Sequence, residues 1–184
     1  RNSSAASDVY KRQSITLGFV VAFPYVVYQF WKFISPGLYA NEKKTASGFI
    51  SISSLLFFIG VLFGYYVVTP LSIRFLGTYS VSAEIFNDFD LNSYTALVRA
   101  SVLASGLIFE LPILVYFLTK IGLITPELMR KYRKIALVLV MFLSAVITPP
   151  DVASQIIVAI PVLILYELSI FISKRVVRNL NKKS

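Results

Sequence analysis

Cysteine and histidine are both absent from the 184 residues, which removes disulfides, zinc sites with thiolate or imidazole ligands, and nucleophilic catalysis that depends on histidine. There is no Gly-x-Ser-x-Gly elbow, no His-Glu-x-x-His helix and no pair of membrane aspartates, so the chain reads as a protein that is not an enzyme, with no metal and no cofactor. Acidic residues are scarce: 9 Asp and Glu stand against 18 Lys and Arg, for a formal charge of +9. That excess does not point to nucleic acid, because the basic residues form no tract interleaved with aromatics on a polar background. They punctuate apolar runs instead. Residues 1–13 are polar and serine-rich and lack the apolar centre of a secretory signal, so a disordered or foreign lead-in is expected there. No internal repeat and no second domain is visible.

What the chain does have is apolar surface. It is 57% hydrophobic with a mean hydropathy of +0.74, more than one soluble domain of this size hides in a core. Crossing about 30 Å of hydrocarbon takes roughly 20 mostly apolar residues. The expected fold is therefore all-α, a polytopic transmembrane helical bundle. Its membrane domain covers 14–174, with spans at about 15–33, 49–68, 96–119, 135–147 and 156–173, and a basic tail follows at 175–184. Pro24 falls inside the first span and should kink it. Thr125-Pro126-Glu127 has the pattern of a helix start, with threonine as cap, proline at the first helical position and an early acid. The fourth run is too short to cross comfortably, so thinning of the bilayer or shielding by neighbouring helices is expected there.

Charge placement sets the topology. The connections after spans one, three and five hold thirteen Lys and Arg, from Lys32, Lys43 and Lys44 through Lys120 to Lys134 and on to Lys174, Arg175, Arg178, Lys182 and Lys183. The other two connections hold Arg74 together with Glu84, Asp88, Asp90 and Asp151. By the positive-inside rule the basic connections and the carboxyl end are cytoplasmic, and the fourth run counts as a crossing. The same rule puts the amino end outside, where nothing before Ile15 would have sent it, so an upstream span is expected.

Glu110 is the strongest purely physical signal. A charge halfway along a span costs roughly 2.5 to 3.5 kcal/mol on insertion scales, so it should face protein, water or a partner. The plainer alternative is a protonated or hydrogen-bonded packing residue. Pro112 just after it frees backbone groups and marks a wet, deformable spot. Arg99, near an outer end, has room to snorkel and is given no role.

Three stretches carry a resemblance to a known family. Phe30-Trp31-Lys32-Phe33-Ile34-Ser35-Pro36-Gly37-Leu38-Tyr39-Ala40-Asn41-Glu42-Lys43-Lys44 resembles the first cytoplasmic loop of TatC, the multispan receptor subunit of the twin-arginine protein translocase. Phe109-Glu110-Leu111-Pro112 resembles the fourth helix of that family. Thr148-Pro149-Pro150-Asp151, followed by Ser154-Gln155, Ala159-Ile160-Pro161 and Tyr166-Glu167-Leu168, resembles its last hairpin. The likeness runs from about Ile15 to Lys174, and the chain resembles helices two to six of six.

The resemblance implies a bacterial inner-membrane protein that exports folded proteins on the proton-motive force. Its implied partners are twin-arginine signal peptides, single-span TatA- and TatB-type subunits, other copies of itself and the lipid bilayer. It implies that Glu42 recognises the signal peptide, and a carboxylate suits the planar guanidinium fork; the plainer alternative is a loop charge paired with Lys43 or Lys44. Phe33 matches an aromatic of the signal-peptide surface, or is an interfacial anchor. Glu110 falls on the concave face that receives the signal peptide and partner helices. Thr148 and Gln155 match a polar cluster where partner helices dock, the alternative being that Thr148 closes the hairpin. Glu167 is expected to reach Lys174 or interfacial water. A proton- or ion-coupled small-solute transporter with Glu110 as its site is the competing reading, and nothing resembling an inverted repeat supports it.

Overall fold

The computed structural model describes residues 2–34, 46–78, 91–148 and 151–181, and within these the chain is helical with no strand. Helix α1 runs Asn2–Ile34, α2 Ala46–Phe63, α3 Thr69–Thr78, α4 Leu91–Ile108, α5 Leu111–Lys120, α6 Pro126–Lys131, α7 Arg133–Ile147 and α8 Val152–Asn181. A π-helical turn, Gly64–Val68, joins α2 to α3 without a break in direction of the chain. Among the described residues, four stretches are long and apolar enough to cross a membrane: Ser7–Phe33, Gly48–Thr78, Leu91–Lys120 and Val152–Asn181. Helix α7 has 15 residues and so reaches only about 22 Å. Residues 2–13 are helical, which corrects the expected disorder of the lead-in: α1 begins at Asn2.

Polarity in this bundle is arranged for lipid. The interior holds Ser53, Ser72, Ser101, Ser105, Ser144, Ser169 and Ser173, while Phe33, Val21 and Ile15 stand 84%, 75% and 73% exposed. Small hydroxyl residues inside and large apolar ones outside is the pattern a hydrocarbon solvent favours, because lipid tails cover the apolar side chains and leave helix contacts to close packing and hydrogen bonds. Helix α2 packs on α1 and α4, and α8 packs on α5 and α7.

Glycine lets α2 and α4 cross closely. A Cβ placed on Gly60 would stand 2.7 Å from the Ser105 carbonyl oxygen, and one on Gly64 would stand 2.6 Å from that of Ser101. Only glycine allows the two backbones to come this close, and Gly60 and Gly64 are four apart on one helix face. Thr69 Oγ1 donates to the Gly64 carbonyl at 2.8 Å, the same oxygen that accepts the Thr69 backbone N–H across the π-turn. An aromatic cluster fills the space beside this crossing, with Phe23 stacked on Phe57 at 3.5 Å and Trp31 against Phe49 at 4.9 Å.

Local signals decide the helix ends. Pro126 opens α6, and Thr125 Oγ1 accepts from the Leu128 N–H at 3.2 Å, the cap its sequence announces. Helix α5 closes at Gly122, whose φ of 78° allows Leu123 N to bond Leu118 O at 2.9 Å and Gly122 N to bond Thr119 O at 3.0 Å. Pro24 and Pro161 lie inside α1 and α8 without ending them.

Candidate functional site

Proline creates the central feature. Pro112 has no N–H, and its ring would collide with the carbonyl of Ile108 four residues back, so α4 stops at Ile108 and α5 starts afresh at Leu111. Phe109 and Glu110 form the turn between them. There the ladder tightens, with Glu110 N bonded to Leu107 O at 3.1 Å, and the Glu110 carbonyl accepts from both Ile113 N and Leu114 N at 3.0 Å. The break aims the Glu110 side chain at α2, where Ser53 Oγ donates to its Oε2 at 2.5 Å. Its other oxygen, Oε1, is shielded from solvent and has no hydrogen-bond partner among the described residues. A half-satisfied carboxyl in the middle of a membrane span retains an unused acceptor that a donor from a partner can fill.

Toward the basic end of the bundle, the Ser53–Glu110 pair gives way to an apolar groove of about 310 Å³ lined by Phe49 and Ile52 of α2, Pro112, Ile113 and Tyr116 of α5, and Ile172 of α8. Phe33 stands fully outside, at the end of α1. Glu42 lies outside the described residues, as do Pro149 and Pro150.

At the opposite end, Thr148 and Gln155 hold the α7–α8 hairpin. Thr148 is 4% exposed and its Oγ1 donates to Ser144 O at 2.8 Å, closing the helix. Gln155 Nε2 donates to Met141 O at 2.8 Å and ties α8 to α7. Asp151 accepts from the Ser154 N–H at 2.8 Å, and this backbone bond holds its carboxyl below the usual carboxylate range. The cap's contribution is present above the ordinary carboxylate pKa and is lost as the pH falls through the depressed one, so it stays in place near neutrality.

The structure therefore separates the candidate residues: Phe33 at the basic end, Glu110 at mid-span, Thr148 and Gln155 at the other end. Glu167 pairs with Arg133 at 2.6 Å, both about half exposed, rather than reaching Lys174. Ser53 was not legible as the partner of Glu110, since it lies 57 residues away in sequence. The Gly60-x-x-x-Gly64 spacing was a usable signal for the crossing that places Ser53, and it went unread.

Residues 6–161 match the family model described as Sec-independent protein translocase protein (TatC). The Sec-independent protein translocase protein TatC of Blattabacterium sp. subsp. Periplaneta americana is 46% identical over 156 residues, covering 85% of this chain and 59% of the relative. That of Halalkalibacterium halodurans is 36% identical over 174 residues, covering 95% of this chain and 69% of the relative. A crystal structure of the twin arginine translocase receptor TatC superposes with a TM-score of 0.73 at 39% identity, covering 92% of this chain and 74% of that one. The chain thus spans about three-fifths to two-thirds of the length of these curated relatives.

Proposed function

Because the chain belongs to the TatC family of Sec-independent protein translocase proteins, we propose that it acts as the receptor and core subunit of a twin-arginine translocase, binding twin-arginine signal peptides and helping to export folded proteins across the bacterial cytoplasmic membrane on the proton-motive force. The family match over residues 6–161, joined to the shared fold, carries the proposal. The basic end of the bundle faces the cytoplasm in this reading, by the asymmetry of lysine and arginine between its connections. The carboxyl end lies on that side.

Roles follow from chemistry and place. Glu42, in the connection after α1, grips the paired arginines through charge-assisted, two-pronged hydrogen bonds. Phe33, exposed at the end of α1, supplies an apolar contact for the signal. Glu110 offers the unused Oε1 to a signal peptide or partner helix that reaches the concave face at mid-membrane. Thr148 and Gln155 receive the single-span TatA- and TatB-type subunits. Their hydrogen bonds within the hairpin leave the Gln155 amide oxygen to accept from a partner, and such polar contacts in lipid contribute about 0.6 to 2 kcal/mol each.

The test is export of a folded fluorescent cargo bearing a twin-arginine signal, in a bacterium whose own TatC gene is replaced by the full-length gene that carries this sequence. Export should be restored, and Glu42→Ala should abolish both signal binding and export while the protein still inserts. Failure of the unchanged gene would sink the receptor reading. Normal export by the variant would remove only the role given to Glu42.

A further inference from the structure

We infer that the basic end of α8 and the apolar groove beside it form one site for a phospholipid with an anionic headgroup. Helix α8 has 30 residues and is about 45 Å long, well beyond the roughly 30 Å of hydrocarbon, so its last turns stand at and past the headgroups. Lys174, Arg175 and Arg178 occupy those turns, and with Phe171 and Asn179 they line a hollow of about 410 Å³. All three cations are exposed. Among the described residues no carboxylate pairs with them, and the acid nearest in sequence, Glu167, is engaged by Arg133. Three cations without counter-ions at headgroup depth select an anion.

The hollow and the groove share no lining residue, but both border α8, with the groove on the membrane side. Ile172 lines the apolar groove, and Arg175 and Asn179, three and seven residues further on, share its helix face. A molecule lying along this face meets cations first and then Phe49, Ile52, Pro112 and Tyr116. The groove, about 310 Å³, is at the lower end of small-ligand pockets and nearly without polar walls, which fits an acyl chain and not a headgroup. A phosphodiester joined to an acyl chain satisfies both halves. A signal peptide does not, because paired arginines would face three like charges. The site stands apart from the translocase reading, and its test needs no cargo.

Trp31, the only tryptophan, packs on Phe49 of the groove wall at 4.9 Å and so reports on what fills the groove. The protein is reconstituted in phosphatidylcholine vesicles that hold a minor fraction of lipid brominated on its acyl chains, either phosphatidylglycerol or phosphatidylcholine. Bromine on phosphatidylglycerol should quench Trp31 more strongly than the same fraction on phosphatidylcholine. Lys174→Gln, Arg175→Gln and Arg178→Gln should each lower that preference about fivefold, and their exposed positions leave the helices intact, which circular dichroism checks. Equal quenching by the two lipids overturns the proposal, as does a preference that survives the triple substitution. Relief of quenching by a twin-arginine signal peptide, to the same extent in the triple variant, would assign the groove to the peptide and overturn it as well.

Discussion

Where α2 crosses α4, two backbones touch through Gly60, Gly64 and Gly106, and the buried hydroxyls of Ser101 and Ser105 have no hydrogen-bond partner among the described residues. Where α7 meets α8, Gln155 bonds the Met141 carbonyl across the pair, and Thr148 and Ser154 each make a hydrogen bond at the adjoining helix ends. Lipid tails are as apolar as leucine, so neither pair gains from hiding apolar surface. One is held by shape and the other by directed bonds. The difference teaches where each can yield: a shape contact fails when volume is added, and a bonded hairpin fails when an acceptor is orphaned.

Adding volume at the glycine crossing has the largest expected effect. Gly64→Leu drives its first side-chain carbon to 2.6 Å from a carbonyl oxygen and 2.8 Å from the Val102 Cα, and backbone atoms have no alternative rotamer. A loss of about 3 kcal/mol is expected in reversible unfolding from mixed micelles, enough to deplete the inserted protein. Gln155→Leu, nearly the same in volume, removes the bond to Met141 O and should cost about 1 kcal/mol in the same assay. If the order of these two were reversed, the assignment of shape to one pair and bonds to the other would be wrong. The smallest effect belongs to Arg133→Gln: the Glu167 pair is half exposed at the bundle's rim, so less than about 1 kcal/mol is expected, vanishing in high salt.

Reading from sequence succeeded where the cause was local. The α6 cap was legible in Thr125-Pro126-Glu127 because a cap needs only neighbours three residues apart. Glu110 was legible because the cost of a carboxyl in hydrocarbon depends on depth and not on its partner. What relieves that cost was not: Ser53 comes from another span, brought there by the glycine crossing. The Arg133–Glu167 pair was hidden for the same reason, since the α7–α8 hairpin sets which cation is near, and helical spacing alone suggested Lys174. Residues 2–13 look unstructured by composition, yet they continue the helix that the apolar run of α1 begins, because extending an existing helix avoids the cost of nucleating one.

In the proposed receptor role, the exposed rim at the end of α1 meets an export signal that carries an arginine pair. A photo-reactive side chain placed at position 33, where Phe33 is 84% exposed, tests it most directly. In membranes containing this protein, it should form an adduct with a twin-arginine signal peptide and lose that adduct when the two arginines are changed to lysine. Equal capture of both peptides, or of neither, would contradict the claim.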